Sequence, residues 1–181
     1  MARVLVPLAP GCEELEAVTV VDLLRRAEIE VVTAGLEPGV VRASRGVRLV
    51  PDALLEDVLD QDFDMIVLPG GLPGADHLDY DPRIQELLER IPAAGGYAAA
   101  ICAAPKVLAH AGLLDGREAT AYPGVLADFT QVRAVDAPVV EAGRVITSRG
   151  PGTAMDFALT LVERLAGPAR REAVEAGLVR S

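Results

Sequence analysis

Several residue types are scarce in this chain of 181 residues, and each shortage excludes a class of protein. Two cysteines, Cys12 and Cys102, and two histidines, His77 and His110, lack the paired spacings of disulfide frameworks and zinc fingers. We therefore expect neither a bound metal nor a cofactor. Acidic residues outnumber basic ones to give a net charge of −10, which argues against a nucleic-acid-binding patch.

Long apolar runs are also missing, and the run after Arg3 is too short for a membrane span or the core of a signal peptide. We expect a cytoplasmic protein without membrane contact. Aromatic residues make up 3% and tryptophan is absent, whereas apolar residues reach 51%. Aliphatic and alanine side chains must therefore fill the core, and the length suits a single domain over residues 1–181.

Apolar runs of strand length alternate with helical patterns along the chain. The predicted strands are 3–8, 29–33, 64–68, 96–101 and 119–122, with paired short strands within 40–50 and 138–147. The predicted helices are 13–27, 53–60, 82–91, 105–111 and 153–165, the last opened by a capping box of Thr153 and Asp156. This alternation predicts an α/β fold with a mostly parallel sheet.

Such sheets bind ligands beyond the carboxyl ends of their strands, where segments 10–16, 69–74, 102–105 and 149–152 are expected to meet. Cys102 lies among alanines at a predicted strand-to-helix turn. Small neighbours permit the tight turn of a nucleophile elbow, and the helix that follows favours a thiolate. The alternative is a small buried apolar side chain; the crevice context favours the nucleophile.

A glycine-rich segment, residues 69–75, follows another predicted strand. Gly70 and Gly71 allow the backbone to approach a ligand closely, and the N–H groups of Gly71 and Ala103 are candidate oxyanion donors. The alternative is a plain turn. A phosphate-binding loop is excluded because its Lys-Ser/Thr pair is missing.

Three glutamates begin the first predicted helix. Glu13 and Glu14 fit as partners of the helix dipole. Glu16 lies one helical turn after Glu13 and can point into the crevice. A carboxyl that keeps its proton there can donate to the Cys102 sulfur and move protons. We interpret Cys12, at the crevice rim, as incidental, and the histidines, one on an exposed loop and one near a helix end, as non-catalytic.

Four segments, PLAPGCEELEAV, VLPGGLPGA, AAICAAP and TSRGPGTAMDFAL, resemble in this order the ThiJ/PfpI superfamily, in the branch named after a Parkinsonism-associated protein. The resemblance implies a flavodoxin-like, class I glutamine-amidotransferase-like three-layer sandwich and a homodimer. It implies that the reactive cysteine is Cys102, the protonated glutamate is Glu16, and the oxyanion amides belong to Gly71 and Ala103.

The same resemblance implies that Pro151 lies at the pocket edge and that an arginine beside the dimer interface is Arg26 or Arg45. Two departures affect the chemistry. Ala103 stands where the protease-like branch has a histidine after the nucleophile, which disfavours amide hydrolysis. Tyr122 stands where several close relatives have a pocket histidine; a phenol is a poor base at neutral pH but can hydrogen-bond a substrate oxygen.

Members of this superfamily are described as glyoxalases that convert methylglyoxal to lactate without glutathione or metal, and as deglycases of proteins or nucleotides. We therefore expect a cysteine-dependent enzyme acting on small α-oxoaldehydes or their adducts. The alternative is a non-enzymatic redox sensor or oxidative-stress chaperone in which Cys102 becomes a sulfinic acid. A cysteine peptidase or amidase is the third and less favoured interpretation.

Overall fold

The structure, a computed structural model, describes residues 1–180 and contains one large sheet and two small ones. Its strands are β1 Arg3–Leu8, β2 Glu30–Gly35, β3 Val41–Arg42, β4 Arg48–Leu49, β5 Ala53–Leu54, β6 Met65–Leu68, β7 Tyr97–Ile101, β8 Glu118–Ala119, β9 Arg133–Ala134, β10 Val139–Ala142 and β11 Val145–Ser148. The seven-stranded sheet has the order β10-β11-β7-β6-β1-β2-β5. Its neighbouring strands are parallel except β10 and β11, which form the predicted hairpin.

Helices cover both faces of this sheet. They are α1 Glu14–Arg26, α2 Gly74–Tyr80, α3 Pro82–Ala93, α4 Pro105–His110, α5 Ala154–Ala166 and α6 Pro168–Gly177, with 3-10 turns at Leu55–Val58 and Pro151–Thr153. Side chains of α1, α5 and α6 belong to one buried cluster and those of α2, α3 and α4 to the other. The predicted three-layer α/β sandwich with a mostly parallel sheet is confirmed.

Strand β7 consists largely of alanines, and its position in the middle of the sheet explains why they form a strand. Ala98 and Ala100 belong to the cluster on one face of the sheet, and Ala99 and Ile101 to the cluster on the other. Because both faces are covered, the strand has no polar side. Small side chains let helices approach it closely, and its carboxyl end leads directly into Cys102.

Two sequence predictions about helices were wrong. The helix expected at 53–60 is instead the edge strand β5, in which Ala53 and Leu54 pair with β2, followed by the 3-10 turn. Pairing with the sheet outweighs local helix propensity at this edge. Helix α2 was not predicted, and it carries His77, which we expected on a loop. Its buried side chains, Ala75 and Leu78, are too few to show a helical period.

The predicted capping box of the last long helix is also absent. The Thr153 hydroxyl accepts from the Gly150 N–H at 3.2 Å and lies 2.7 Å from the Ser148 hydroxyl, whereas Asp156 pairs with Arg180. Helix α6 was not predicted, and the strand expected at 119–122 is limited to β8. Within residues 1–180, no helix is long and apolar enough to cross a membrane.

Candidate active site

Cys102 lies at the turn between β7 and α4, with its backbone in a conformation that non-glycine residues rarely adopt. Its φ is 65°, in the left-handed region. The Cys102 N–H donates to the Ser148 carbonyl at 3.0 Å, and its own carbonyl accepts from the Tyr122 N–H at 2.9 Å. These bonds to neighbouring segments hold the strained turn, as expected for a nucleophile elbow. The residue is 8% exposed.

Glu16 points from the first turn of α1 into the centre of the site and is fully buried. Its Oε2 accepts from the Gly70 N–H at 2.9 Å. Its Oε1 has no hydrogen-bond partner among the described residues, although it is buried. The carboxyl lies beside Cys102, because a Cβ on Gly70 would be 2.7 Å from the Glu16 Oε2 and 2.6 Å from the Cys102 Cβ. If Oε1 carried a proton, this hydroxyl could donate a hydrogen bond to the Cys102 sulfur, and the buried oxygen would then have a partner.

The two side chains strongly affect each other's ionisation. Burial raises the pKa of Glu16 to about 7, although hydrogen bonds from Cys102 and the Gly70 N–H act in the opposite direction. Burial, followed by the charge of Glu16 and its hydrogen bond, raises the pKa of Cys102 to about 12, while the backbone N–H groups of Gly71 and Ala103 lower it. With these values the pair passes near neutral pH from two protons to a form with one proton, and the repulsion between two adjacent negative charges keeps that last proton bound. In one of its two arrangements Glu16 is neutral and sulfur is the anion.

Glycines allow this close arrangement. A Cβ on Gly70 would lie 2.6 Å from the Cys102 Cβ and 2.7 Å from the Glu16 Oε2, so any side chain there would displace both. Gly71 has a φ of 84°, and a Cβ on it would lie 2.4 Å from the Glu13 backbone nitrogen and 2.6 Å from the Gly11 carbonyl oxygen. The glycine-rich loop is therefore more than a plain turn, because it packs directly on the turn before α1.

Tyr122 and Pro151 lie at the outer side of the site. Tyr122 is 53% exposed, and its ring lies 3.6 Å from the position of a Cβ on Gly150. The Tyr122 loop lines a cavity of about 320 Å³, which Arg149 also borders. Pro151 begins the 3-10 turn after Gly150 and is partly buried. Both candidates flank the turn that holds Cys102, and Tyr122 can offer its hydroxyl at this edge.

The two arginine candidates are in different surroundings. Arg26 lies in the last turn of α1, at the opposite end of that helix from Glu16, and pairs with Asp22 at 2.8 Å. Arg45 lies in the turn between β3 and β4, where its N–H donates to Glu14. Of the two, Arg45 is therefore the one next to the beginning of α1.

Cys12 and the histidines lie outside the reactive cluster. Cys12 is fully buried rather than at the crevice rim, and burial raises its pKa to about 12. His110, at the end of α4, lies 2.7 Å from a carboxylate oxygen of Asp79, and His77 is exposed on α2. Within residues 1–180, no group of three or more histidine, cysteine or acidic residues is arranged to hold a metal ion.

Glu14 has a role that the sequence analysis missed. It is 8% exposed, and its carboxylate accepts from the Arg45 N–H at 2.9 Å, the Val47 N–H at 3.3 Å and the Ser44 hydroxyl at 3.1 Å. Although burial acts in the opposite direction, these hydrogen bonds and one from its own N–H lower the pKa of Glu14. Glu14 therefore fixes the β3–β4 turn onto α1. No local pattern predicts a contact across about thirty residues.

Comparison with known proteins gives consistent matches. A model of the DJ-1/PfpI family matches residues 2–164. Protein dj-1beta of Drosophila melanogaster is 44% identical over 97% of this chain and 95% of its own, and its crystal structure superposes with a TM-score of 0.95 over 99% of this chain and 98% of the other. A protein of Caenorhabditis elegans named glutathione-independent glyoxalase DJR-1.2 is 41% identical over 92% of this chain and 89% of its own. The structure of oxidized Toxoplasma gondii DJ-1 has a TM-score of 0.96, with 39% identity over the full length of both chains.

Proposed function

The chain belongs to the DJ-1/PfpI family, and on that premise we propose that it is a cysteine-dependent glyoxalase. It would convert methylglyoxal-type α-oxoaldehydes, free or released from protein and nucleotide adducts, to 2-hydroxy acids without glutathione or metal. The observation that carries the proposal is the fully buried Glu16 carboxyl, with one oxygen that has no hydrogen-bond partner among the described residues, packed beside Cys102. The name of the C. elegans relative supports the same activity.

The reaction begins when the Cys102 thiolate adds to the aldehyde carbon, C1. A sulfur–carbon bond forms, and the carbonyl electrons move to oxygen, where the N–H groups of Gly71 and Ala103 hold the oxyanion. Glu16 then gives its proton to this oxygen, which yields a hemithioacetal and leaves the carboxylate ready to act as a base.

Glu16 next removes the proton from C1 and delivers it to C2, while the hydroxyl proton passes from the C1 oxygen to the C2 oxygen. The result is a thioester of a 2-hydroxy acid. Water hydrolyses the thioester, releases the acid and restores the thiol. C1 is oxidised and C2 is reduced by the same proton and electron movements, so no external oxidant or reductant is needed. At the mouth, Tyr122 would hydrogen-bond a substrate oxygen and Pro151 would border the substrate.

Substitution of Glu16 tests the assignment because it separates proton transfer from the reactivity of sulfur. Glu16→Gln keeps the shape of the side chain and an oxygen that can accept from the Gly70 N–H, but the amide cannot accept a proton. We expect turnover of methylglyoxal to be lost while Cys102 is still alkylated by iodoacetamide, as read by peptide mass. Retained turnover would contradict the role of Glu16, and an inert Cys102 in the wild type would contradict the nucleophile.

A redox sensor or oxidative-stress chaperone is the second candidate, favoured by the oxidized state named for the T. gondii relative. Peroxide would oxidise the Cys102 thiolate to a sulfenic and then a sulfinic acid, each step transferring one oxygen atom. The neutral Glu16 carboxyl would donate a hydrogen bond to the sulfinate. Both roles use the same pair and are compatible. A cysteine peptidase is less favoured, since Ala103 rather than a histidine follows Cys102.

We also propose that the protein is a homodimer. Leu15 and Val18 on α1, together with Val47 and Val50 beside β4, are exposed apolar side chains on adjacent elements. A second copy would cover them, and light scattering coupled to size-exclusion chromatography measures the mass directly. Val18→Asp should shift the mass toward that of one chain. The cytoplasmic location expected from the sequence stays a prediction.

A further inference from the structure

The two proposed oxyanion donors belong to segments that lead into different helices. The Gly71 carbonyl accepts from the Ala75 N–H at 2.9 Å, so Gly71 is tied to the first turn of α2. Ala103 lies directly before the N-terminal cap of α4. Both N–H groups must point at one oxygen atom to stabilise its charge. Their separation therefore depends on how α2 and α4 are placed relative to each other.

Two polar pairs connect these helices side by side. The Lys106 ammonium contacts the Asp76 carboxylate, and the His110 Nδ1 lies 2.7 Å from a carboxylate oxygen of Asp79. Each helix contributes two side chains that are about one turn apart. A single contact would let the helices pivot about it, whereas two contacts a turn apart fix both their angle and their axial position. We call these contacts the α2–α4 pairs.

The residue types in these pairs favour a structural link over a chance surface contact. Lys106, the one lysine of the chain, lies in the first turn of α4, where a positive charge opposes the helix dipole. The dipole therefore does not explain its position, and pairing with Asp76 does. The Asp79 side chain is 8% exposed, so its carboxylate needs a donor. The His110 Nδ1 can donate to it whether the ring is neutral or charged.

Both helices are too short to hold this position by themselves. Helix α2 has 7 residues and α4 has 6, and isolated helices of fewer than about twelve residues are marginal in water. Buried apolar side chains, among them Leu78 and Val107, hold them on the sheet. Apolar attraction is non-directional, however, and permits small shifts. Charged hydrogen bonds require a defined geometry, so the α2–α4 pairs can set the fine position.

We propose that the α2–α4 pairs are positioning residues that hold the N–H groups of Gly71 and Ala103 close enough to share one oxygen atom. The inference rests on the proposed function, in which these groups stabilise the oxyanion formed when sulfur adds to the aldehyde carbon. In the resting protein the same groups approach the Cys102 sulfur and lower its pKa. Loss of a pair should therefore weaken the stabilisation of both the oxyanion and the thiolate.

Two substitutions that remove the same pair separate positioning from local charge. Lys106→Met removes a positive charge from the helix that follows Cys102, and Asp76→Asn removes a negative charge from its partner helix. Through their charge alone, the first would raise the pKa of the Cys102 thiol and the second would lower it. Through the loss of position, both would raise it. Lys106→Arg retains the charge and a donor for Asp76, and the control Arg171→Met removes a pair between α6 and α5.

The first measurement is the pH dependence of Cys102 alkylation by iodoacetamide. We expect its midpoint to move to higher pH in both Lys106→Met and Asp76→Asn, and to stay in place in Lys106→Arg and Arg171→Met. The second measurement is methylglyoxal turnover. Misplacement by about 1 Å can cost about 100-fold, and the second pair remains, so we expect kcat to fall about tenfold. KM should change little, because the donors act on a charge that the substrate lacks. His110→Phe, which removes the other pair, should act in the same direction.

Three results would overturn the proposal. Midpoints that move in opposite directions in Lys106→Met and Asp76→Asn would show an effect of local charge. An unchanged midpoint and kcat in both would show that apolar packing positions the helices by itself. An equal loss in Arg171→Met would show a general effect of a lost ion pair.

The failure of the proposed function is distinguishable from these results. Wild-type protein that is alkylated at Cys102 without converting methylglyoxal would refute the glyoxalase, and the alkylation midpoints of the variants would still decide the role of the α2–α4 pairs. A Cys102 that is inert in the wild type would refute the nucleophile and this inference together.

Discussion

Gly70→Ala is the substitution that tests most sharply how the reactive pair is positioned. The new Cβ would lie 2.6 Å from the Cys102 Cβ, 2.7 Å from the Glu16 Oε2 and 2.8 Å from the Ile101 carbonyl oxygen. Carbon atoms in ordinary contact are about 3.5–4.0 Å apart, so the neighbours must move by about 1 Å. Gly70 does not have a positive φ, which makes the effect steric rather than one of backbone strain.

The expected cost has two parts. Overpacking of this kind destabilises a protein by about 1–3 kcal/mol. Misplacement of a catalytic group by about 1 Å can reduce turnover about 100-fold. We therefore expect Gly70→Ala to fold, to unfold at lower urea concentration than the wild type, and to lose kcat/KM for methylglyoxal by about two orders of magnitude.

The matched control is Gly177→Ala at the end of α6, where an added Cβ meets no atom within 4 Å. This control should keep both stability and turnover. The assays are methylglyoxal turnover, alkylation of Cys102 by iodoacetamide, and urea unfolding. Wild-type turnover in Gly70→Ala, with wild-type stability, would refute the claim that the tight contact of Cys102 and Glu16 carries the reaction.

Three further predictions follow from the same contacts. Burial raises the pKa of Glu16 from 4.5 to about 7, so native protein binds the extra proton and wild-type stability should fall as pH rises between these values. Urea unfolding should then show Glu16→Gln gaining up to about 3 kcal/mol over the wild type across that range, and a constant difference would contradict it. Glu14→Ala should destabilise the protein by about 1–3 kcal/mol and speed amide exchange at Arg45 and Val47, whereas unchanged exchange would remove Glu14 as the clamp. Under peroxide, intact and peptide mass should show a two-oxygen adduct on Cys102 before Cys12, and equal oxidation of both would contradict the sensor role.

The sequence analysis predicted those features that depend on local patterns. The alternation of apolar runs with helical patterns was sufficient to predict a mostly parallel sheet. Strands that are covered on both faces are apolar throughout, as β6 and β7 are. The place of Cys102 at a tight strand-to-helix turn was predictable because small neighbours permit such a turn. Glu16 was identified by its spacing from Glu13, and its neighbour Gly70 by its place directly after a strand.

Features that depend on distant contacts were not predictable in this way. A glutamate at the start of a helix can interact with the helix dipole alone or can also accept hydrogen bonds from a distant segment. Glu14 accepts from residues 44–47, and tertiary packing rather than local sequence brings that turn next to α1. The same holds for Thr153, whose hydroxyl bonds to Gly150 and Ser148 rather than to its own helix.

The central claim is that Cys102 performs glutathione- and metal-independent chemistry on α-oxoaldehydes. The most direct measurement is lactate formation from methylglyoxal, without glutathione or added metal, by the wild type and by Cys102→Ala. We predict turnover by the wild type that vanishes in the variant. Absence of turnover in the wild type, or equal turnover in both proteins, would contradict the claim.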